Sequence, residues 1–402
     1  MAETAKASWL TIVGIGEDGW AGLSELARQA LSSAAHVIGP PRHLALLPPL
    51  TGAVEEWPVP FADGIPLVLR QRGRATVMLT SGDPFWFGAG SSVTGALQAD
   101  EWTALPSLST FSLAAARLGW ALQDTVCLGQ HAAPLSRLRP HLALGRKALI
   151  LLRDGAAVCD LAAYLDVAGF GASTLHVMEA LGGPRERLRV SMASGFALDD
   201  IRHPVAVALD CAGAGEAIPT ASGLDDSWFQ SDGQLTKRPV RALTLSALAP
   251  RAGDLLWDIG AGSGSIAIEW LLSHPANRAV ALEADPARAA NARANAQSLG
   301  VDRLKVIEGR APDTLPEGPA PDAVFIGGGL SHALLEALWP RLRPGTRLVA
   351  NAVTLESEAL LTHWRAAKGG ALLRIELADA APIGNRQGWK SRYPVVQWSV
   401  TV

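Results

Sequence analysis

Cysteine is scarce in this chain: Cys127, Cys159 and Cys211 are the three it has, far apart and without a CxxC pair. An odd, scattered set argues against a disulfide framework and gives no metal-ligand spacing, so no metal is expected and a reducing, cytoplasmic compartment is. Long apolar runs are missing as well. Nothing approaches 18 consecutive apolar residues, and "ALILL" at 148–152 is a typical run, which speaks against a spanning helix. The opening "MAETAKASW" lacks the apolar core of a signal peptide. Charge of one sign is also lacking. Lys plus Arg number 35 and Asp plus Glu 38, a net charge of −3. Residues 1–205 hold 16 basic and 18 acidic side chains, and residues 206–402 hold 19 and 20. Neither half has the basic excess of a nucleic-acid binder. Tyrosine is rare (2 against 13 Trp), and so is lysine (6 against 29 Arg). An Arg-, Ala- and Gly-rich composition is what a GC-rich genome produces, and guanidinium forks also suit an acidic ligand with several carboxylates.

What the chain does have is length and apolar content. Its 402 residues, 49% hydrophobic and 18% charged, allow two or three domains with large cores. Buried strands are predicted at 10–16, 75–80, 147–152, 173–178 and 204–209, and helices at 23–34, 87–98, 111–118 and 157–167. This is an α/β alternation with a largely parallel sheet. The Gly-, Ala-, Ser- and Asp-rich stretch 210–233 interrupts it. Alternation then restarts: helix 238–248, strand 254–260, helix from 264, strand 278–285, helix 286–299, strands near 305–308 and 322–328, helix 331–338, strand 346–352 and helix 354–367. An antiparallel pair near 371–378 and 393–401 closes the chain. The reading is two α/β domains, 1–209 and 228–402, joined by a linker at 210–227. The first domain has two lobes meeting near 101–110.

The sharpest local pattern is "WDIGAGSGSIAIEW" (257–270). A strand ends in Asp258, and Gly260, Ala261, Gly262, Ser263 and Gly264 form a tight turn into a helix. Glycines let a ligand approach the backbone, and the helix start offers free N–H groups. A dinucleotide turn would carry Gly-x-Gly-x-x-Gly. Here Ser265 stands where its last glycine would be, which favours S-adenosylmethionine (SAM), a ligand without phosphates. Glu283 and Ala284, at the end of the next strand, are placed for the ribose hydroxyls. Arg310 and Ala311 are placed beside an adenine. The glycines of "DAVFIGGG" (322–329) end the fourth strand where amino-methylating enzymes carry an Asn/Asp-Pro-Pro-aromatic motif, and no cysteine follows Cys211. Methylation of a nitrogen by that motif, or of cytosine through a cysteine, is therefore not expected. An open glycine shelf, Gly328 included, suits a flat substrate that brings its own nucleophilic carbon.

The first half has a second set of turns. "VGIGEDGWAGLS" (13–24) holds a Gly-x-Gly turn, "LTSGDPFWFGAG" (79–90) a Gly-Asp-Pro turn, and "PSLSTFSLAAARLGW" (106–120) a Ser/Thr-capped helix. Together they resemble the tetrapyrrole-methylase family over residues 8–205. That resemblance implies SAM folded into a cleft between two α/β lobes, lined by Gly14, Gly16, Gly82, Asp83, Ser109 and Thr110. His131, in "LGQHAAP" (128–134), falls where relatives carry a His-Gly-Arg element and is a candidate substrate contact.

"LTKRPVRALTLSAL" (235–248), ahead of the second glycine turn, resembles the decarboxylating precorrin methylases, and Thr236 would then reach the cofactor. The fold class implied is a bilobal tetrapyrrole-methylase domain followed by a Rossmann-like class I SAM-dependent methyltransferase domain. The order of the halves resembles the fused precorrin C-5,15-methyltransferase (decarboxylating) family of cobalamin synthesis. Membership would imply one SAM per domain and conversion of precorrin-6B to precorrin-8. The first half would methylate carbon 5; the second would decarboxylate the carbon-12 acetate and methylate carbon 15. Homo-oligomers are implied as well, dimers for the first half and tetramers for the second. Decarboxylation needs a group to handle the proton, for which Glu269 on the helix after the glycine turn, His332 after the glycine shelf and Asn351 near the expected substrate face are candidates; Arg386, Lys390 and Arg392 in "GNRQGWKSR" (384–392) are candidates for substrate carboxylates or a subunit contact. An RNA or protein methyltransferase is the alternative, opposed by the slightly acidic halves. A dehydrogenase is opposed by the glycine spacing, and a binding protein with one decayed site by the intact turns.

Overall fold

Apolar runs of β-branched and leucine residues build three sheets. A computed structural model describes residues 8–402, and they divide into two units. The first comprises the chain up to Pro134 together with 141–216; the second comprises 135–140 and 217–402.

In the first unit, strands β1 (Leu10–Ile15), β2 (His36–Gly39), β3 (Ala53–Glu56), β4 (Thr76–Ser81) and β5 (Trp102–Leu105) form a sheet in the order β3-β2-β4-β1-β5. All its pairings are parallel. A second sheet, ordered β6-β7-β10-β8-β9, takes β6 (Val126–Gly129), β7 (Lys147–Leu152), β8 (Thr174–Glu179), β9 (Arg187–Met192) and β10 (Val205–Asp210). Only β6 and β7 run parallel there. That departs from the largely parallel expectation, because loops rather than crossover helices join β8, β9 and β10. The lobes part later than 101–110 suggested. β5 is an edge of the first sheet, whereas helix Thr110–Leu118 buries Phe111, Ala114 and Ala115 against Leu149, Met178 and Ala208 of the second lobe. The helix expected at 87–98 shrinks to Gly90–Thr94. The Gly90 amide donates to the Pro84 carbonyl at 2.9 Å, and a Cβ at Gly88 or Gly90 would fall within 2.7 Å of that oxygen.

The second unit is a three-layer sandwich. Strands β11 (Leu255–Ile259), β12 (Arg278–Glu283), β13 (Lys305–Glu308), β14 (Ala323–Ile326), β15 (Arg347–Ala352), β16 (Ala371–Ile375) and β19 (Val395–Thr401) lie in the order β13-β12-β11-β14-β15-β19-β16. The first five are parallel, and β19 and β16 close the edge antiparallel. Alternation along β11 sends Leu256 to one face and Leu255, Trp257 and Ile259 to the other. Helices Arg238–Leu248, Ser265–Ser273 and Pro286–Ser298 cover the first face; His332–Leu338 and Leu355–Lys368 cover the second. Part of the tryptophan excess sits here. Trp339 stacks on Trp398 with ring centres 6.2 Å apart, and Trp364 packs against both.

Two features were not legible beforehand. A hairpin of β17 (Ala378–Ile383) and β18 (Arg386–Ser391) interrupts the closing pair. The stretch 210–227 is also more than a connector. The units divide inside it, between Glu216 and Ala217, and Leu224 and Phe229 are buried in the second core. No helix among the described residues is long and apolar enough to cross a membrane.

Candidate functional site

The strand order reverses between β11 and β14, and the second unit opens a cleft at the carboxyl ends of the parallel strands there. This is where open α/β sheets place ligands. The cavity measures about 780 Å³. Its wall includes, strand by strand, Gly260, Ala261 and Gly262 after β11, Glu283 at the end of β12 and Ala284 after it, Arg310 and Ala311 after β13, Gly328 after β14, and Asn351 on β15. Thr236 lines it from the segment before helix Arg238–Leu248. All these are residues predicted from the sequence.

Two glycines make the turn possible. Gly260 has φ +69°, and a Cβ there would fall 2.6 Å from the backbone of Gly328, so the turn and the glycine shelf touch. Gly262, at φ +57°, has only the Gln234 carbonyl near its missing Cβ, at 3.7 Å, and its open side faces the cleft. The Glu283 carboxylate accepts the Gly262 amide at 2.7 Å and the Asp285 amide at 2.9 Å. Each oxygen keeps lone pairs for a further donor. Asp258 lies beneath. One carboxylate oxygen accepts the Ala267 amide at 3.1 Å and the other is buried without a partner. Burial, reinforced by the Glu283 charge, pushes its pKa up to about 7.

Ser263 and Gly264 do not line this cleft. Ser263 is buried and its carbonyl accepts the Asn295 amide. Gly264 precedes helix Ser265–Ser273 at φ +79°, and a Cβ there would meet Ala292, so its role is helix packing. His332 is off the cleft, exposed, 3.1 Å from Glu336 one helical turn on. Arg386 and Lys390 lie on the exposed hairpin strand β18, and only Arg392 of that group reaches the wall. Glu269 is no proton donor to the cleft. It is buried, ion-paired with Arg241 at 2.5 Å, and accepts the Gly223 and Leu224 amides. Asn351 is held from behind: its amide donates to Thr244 at 3.0 Å and its carbonyl accepts from Gln397 at 3.0 Å. Lys237, Arg288 and Tyr393 also line the cleft and were missed. Nothing in their sequence surroundings distinguishes them.

In the first unit a cavity of about 290 Å³ brings together Gly16, Gly82, Asp83, Ser109, Thr110 and His131. Asp83 accepts the Phe85 amide at 2.8 Å, and Ser109 caps its helix by accepting from Ser112 at 3.1 Å. Gly14 lies off this cavity. A Cβ there would sit 1.9 Å from the Gly82 carbonyl, so it serves the contact between adjacent turns. A smaller set of residues, Gly14, Asp83 and Ser109 among them, borders a neighbouring cavity. Sequence reading missed the polar wall formed by Glu17, Arg42, His43, Ser81 and His203. The legible signal for Glu17, Arg42, His43 and Ser81 is their position, at or just after the ends of strands, whereas His203 stands just before β10. Burial, with the Arg42 and His203 charges, pushes His43 down to about 3, and burial also lowers His131 and His203.

Comparison with known proteins finds a family match in each half of the chain. A family model described as "Tetrapyrrole (Corrin/Porphyrin) Methylases" matches residues 9–195, and one described as "Precorrin methyltransferase domain" matches 227–402. Fold and family matches thus define a SAM-dependent methyltransferase made of two methylase domains. A precorrin-6Y C(5,15)-methyltransferase [decarboxylating] of Sinorhizobium sp is 49% identical over 398 residues, 98% of this chain and 96% of its own. A protein of the same name from Mycobacterium tuberculosis is 41% identical over 403 residues, 98% of this chain and 99% of its own. The cobalt-precorrin-6B C(15)-methyltransferase (decarboxylating) of Salmonella typhimurium is 35% identical over 167 residues, 40% of this chain and 85% of its own. The chain belongs to the precorrin-6Y C(5,15)-methyltransferase (decarboxylating) family.

Proposed function

We propose that this chain methylates a precorrin at carbons 5 and 15 and removes the carbon-12 acetate carboxyl, taking precorrin-6B (precorrin-6Y in the relatives' names) to precorrin-8. The observation that carries the reading is identity at 41–49% across nearly the whole chain to proteins named for that double methylation and decarboxylation. The division of labour follows the Salmonella relative, named for carbon 15 alone. The second domain (228–402) would therefore methylate carbon 15 and decarboxylate, and the first (1–209) would methylate carbon 5.

Each unit would hold one SAM, which supplies an electrophilic methyl group. In the second unit Gly260, Ala261, Gly262, Glu283, Ala284, Arg310, Ala311 and Thr236 would hold it, the Glu283 lone pairs taking ribose hydroxyls. In the first unit Gly16, Gly82, Asp83, Ser109 and Thr110 would do so. A reduced tetrapyrrole is an electron-rich enamine, so its meso carbon is itself the nucleophile and no protein nucleophile is required. The chain's contribution is alignment of the reacting groups and exclusion of water, worth up to roughly 7–11 kcal/mol. Asn351, with its amide fixed by Thr244 and Gln397, would position the tetrapyrrole.

Mass spectrometry of precorrin-6B incubated with the enzyme and SAM tests the proposal. The expected product has gained two methyl groups and lost one carbon dioxide. An unchanged tetrapyrrole would overturn it.

A further inference from the structure

At the cavity wall of the first unit, two guanidinium groups converge on one carboxylate. Arg42 follows β2, and its guanidinium is paired through Nη1 with Glu17, which follows β1. Its Nη2 lies 2.8 Å from His43 Nε2 and donates to Ser81 Oγ at 3.0 Å. Because a guanidinium only donates, His43 Nε2 is an acceptor, and the Ser81 hydroxyl 2.9 Å away can donate to it. Neutral His43, 97% buried with no partner at Nδ1, therefore pins Arg42 without balancing its charge. A second guanidinium, Arg185, reaches the same Glu17 at 3.3 Å. Gly183 makes that approach possible, since a Cβ there would sit 2.5 Å from the Glu17 Cβ. Among the described residues Glu17 is the carboxylate paired with both. Two cations thus share one anion: Arg42 and Glu17 line the cavity, with His43, Asp83, His131 and His203 as its other ionisable lining groups, and Arg185 reaches Glu17 from outside that lining.

We propose that Arg42, held by Glu17 and the His43–Ser81 pair and seconded by Arg185, is the anchor for a carboxylate side chain of the tetrapyrrole in the first unit. This inference rests on the proposed carbon-5 methylation. A carboxylate entering here would complete a two-cation, two-anion cluster, and charge-assisted bonds to a partly desolvated guanidinium are among the stronger single contacts. The anchor determines which edge of the macrocycle enters and leaves the SAM contacts of the same cavity to other residues.

The test uses the full chain. Arg42→Met should raise the tetrapyrrole KM for carbon-5 methylation roughly 10- to 100-fold while SAM binding, titrated calorimetrically, stays within about twofold. Arg42→Lys, which keeps the charge but loses the fork, should fall between. Glu17→Gln, which leaves both guanidinium groups uncompensated, should lower that KM. An unchanged KM in Arg42→Met, or equal loss of SAM and tetrapyrrole binding in all three variants, would overturn the anchor. Failure of the parent chain to methylate carbon 5 at all would instead sink the proposed function, and the anchor with it.

Discussion

Glu283, on β12, holds the turn that follows β11 by accepting the Gly262 amide at 2.7 Å. One carboxylate therefore shapes the glycine turn and faces the cleft beside it.

Replacing Glu283 by Ala should loosen the turn and weaken SAM binding in the second unit. The expected product is a tetrapyrrole that has gained only the carbon-5 methyl. Glu283→Gln keeps an acceptor for Gly262 and should retain part of the activity. Product masses check this, and normal double methylation by Glu283→Ala would refute the assignment.

Arg241 is fully buried, and besides Glu269 it donates to the carbonyls of Leu224 and Thr236. It ties the segment entering the second unit to the loop that lines the cleft. Removing one member of a buried ion pair costs about 3–5 kcal/mol. Arg241→Met should therefore lower the unfolding temperature of the second unit markedly. By the same reasoning a fragment beginning at residue 217 should be more stable than one beginning at 228, which lacks Leu224 and the two amides bound by Glu269. Thermal denaturation of both fragments decides this; equal stability would mean the segment adds nothing.

The raised pKa of Asp258 has a defined sign. Between the ordinary value of 3.8 and about 7 the unfolded chain ionises this carboxyl while the folded chain keeps its proton. Stability is therefore lost as pH rises through that window and stays lost above it. Asp258→Asn should gain stability over the parent between pH 4.5 and pH 8, on the order of a few kcal/mol. A stability difference that does not change with pH would contradict it.

His43 works in the opposite direction. Its pKa falls from 6.5 to about 3, so below pH 6.5 the unfolded chain takes up a proton that the folded chain refuses. Stability of the first unit should decline as pH falls from about 6.5 toward 3. His43→Gln should flatten that decline, as read from unfolding temperatures across the range.

Sequence alone determined the two α/β halves, the glycine turns and part of the cleft lining. These depend on local properties: periodic apolar runs make strands and helices, and Gly260, Gly262 and Gly328 stand where the backbone must bend or meet another backbone. Some short elements were not legible, because the four-residue strands β2 and β3 carry too little periodicity and the β17–β18 hairpin has few strand-forming residues. Only the tertiary structure decided which polar residues converge. Glu269 looked like a cleft acid until helix packing turned it onto Arg241, 28 positions earlier in the chain. Glu17, Arg42, Ser81 and Arg185 looked unrelated until strand ends and a loop brought them into one cluster. Charge pairing across such separations is set by how sheets and loops stack, and no local pattern encodes it.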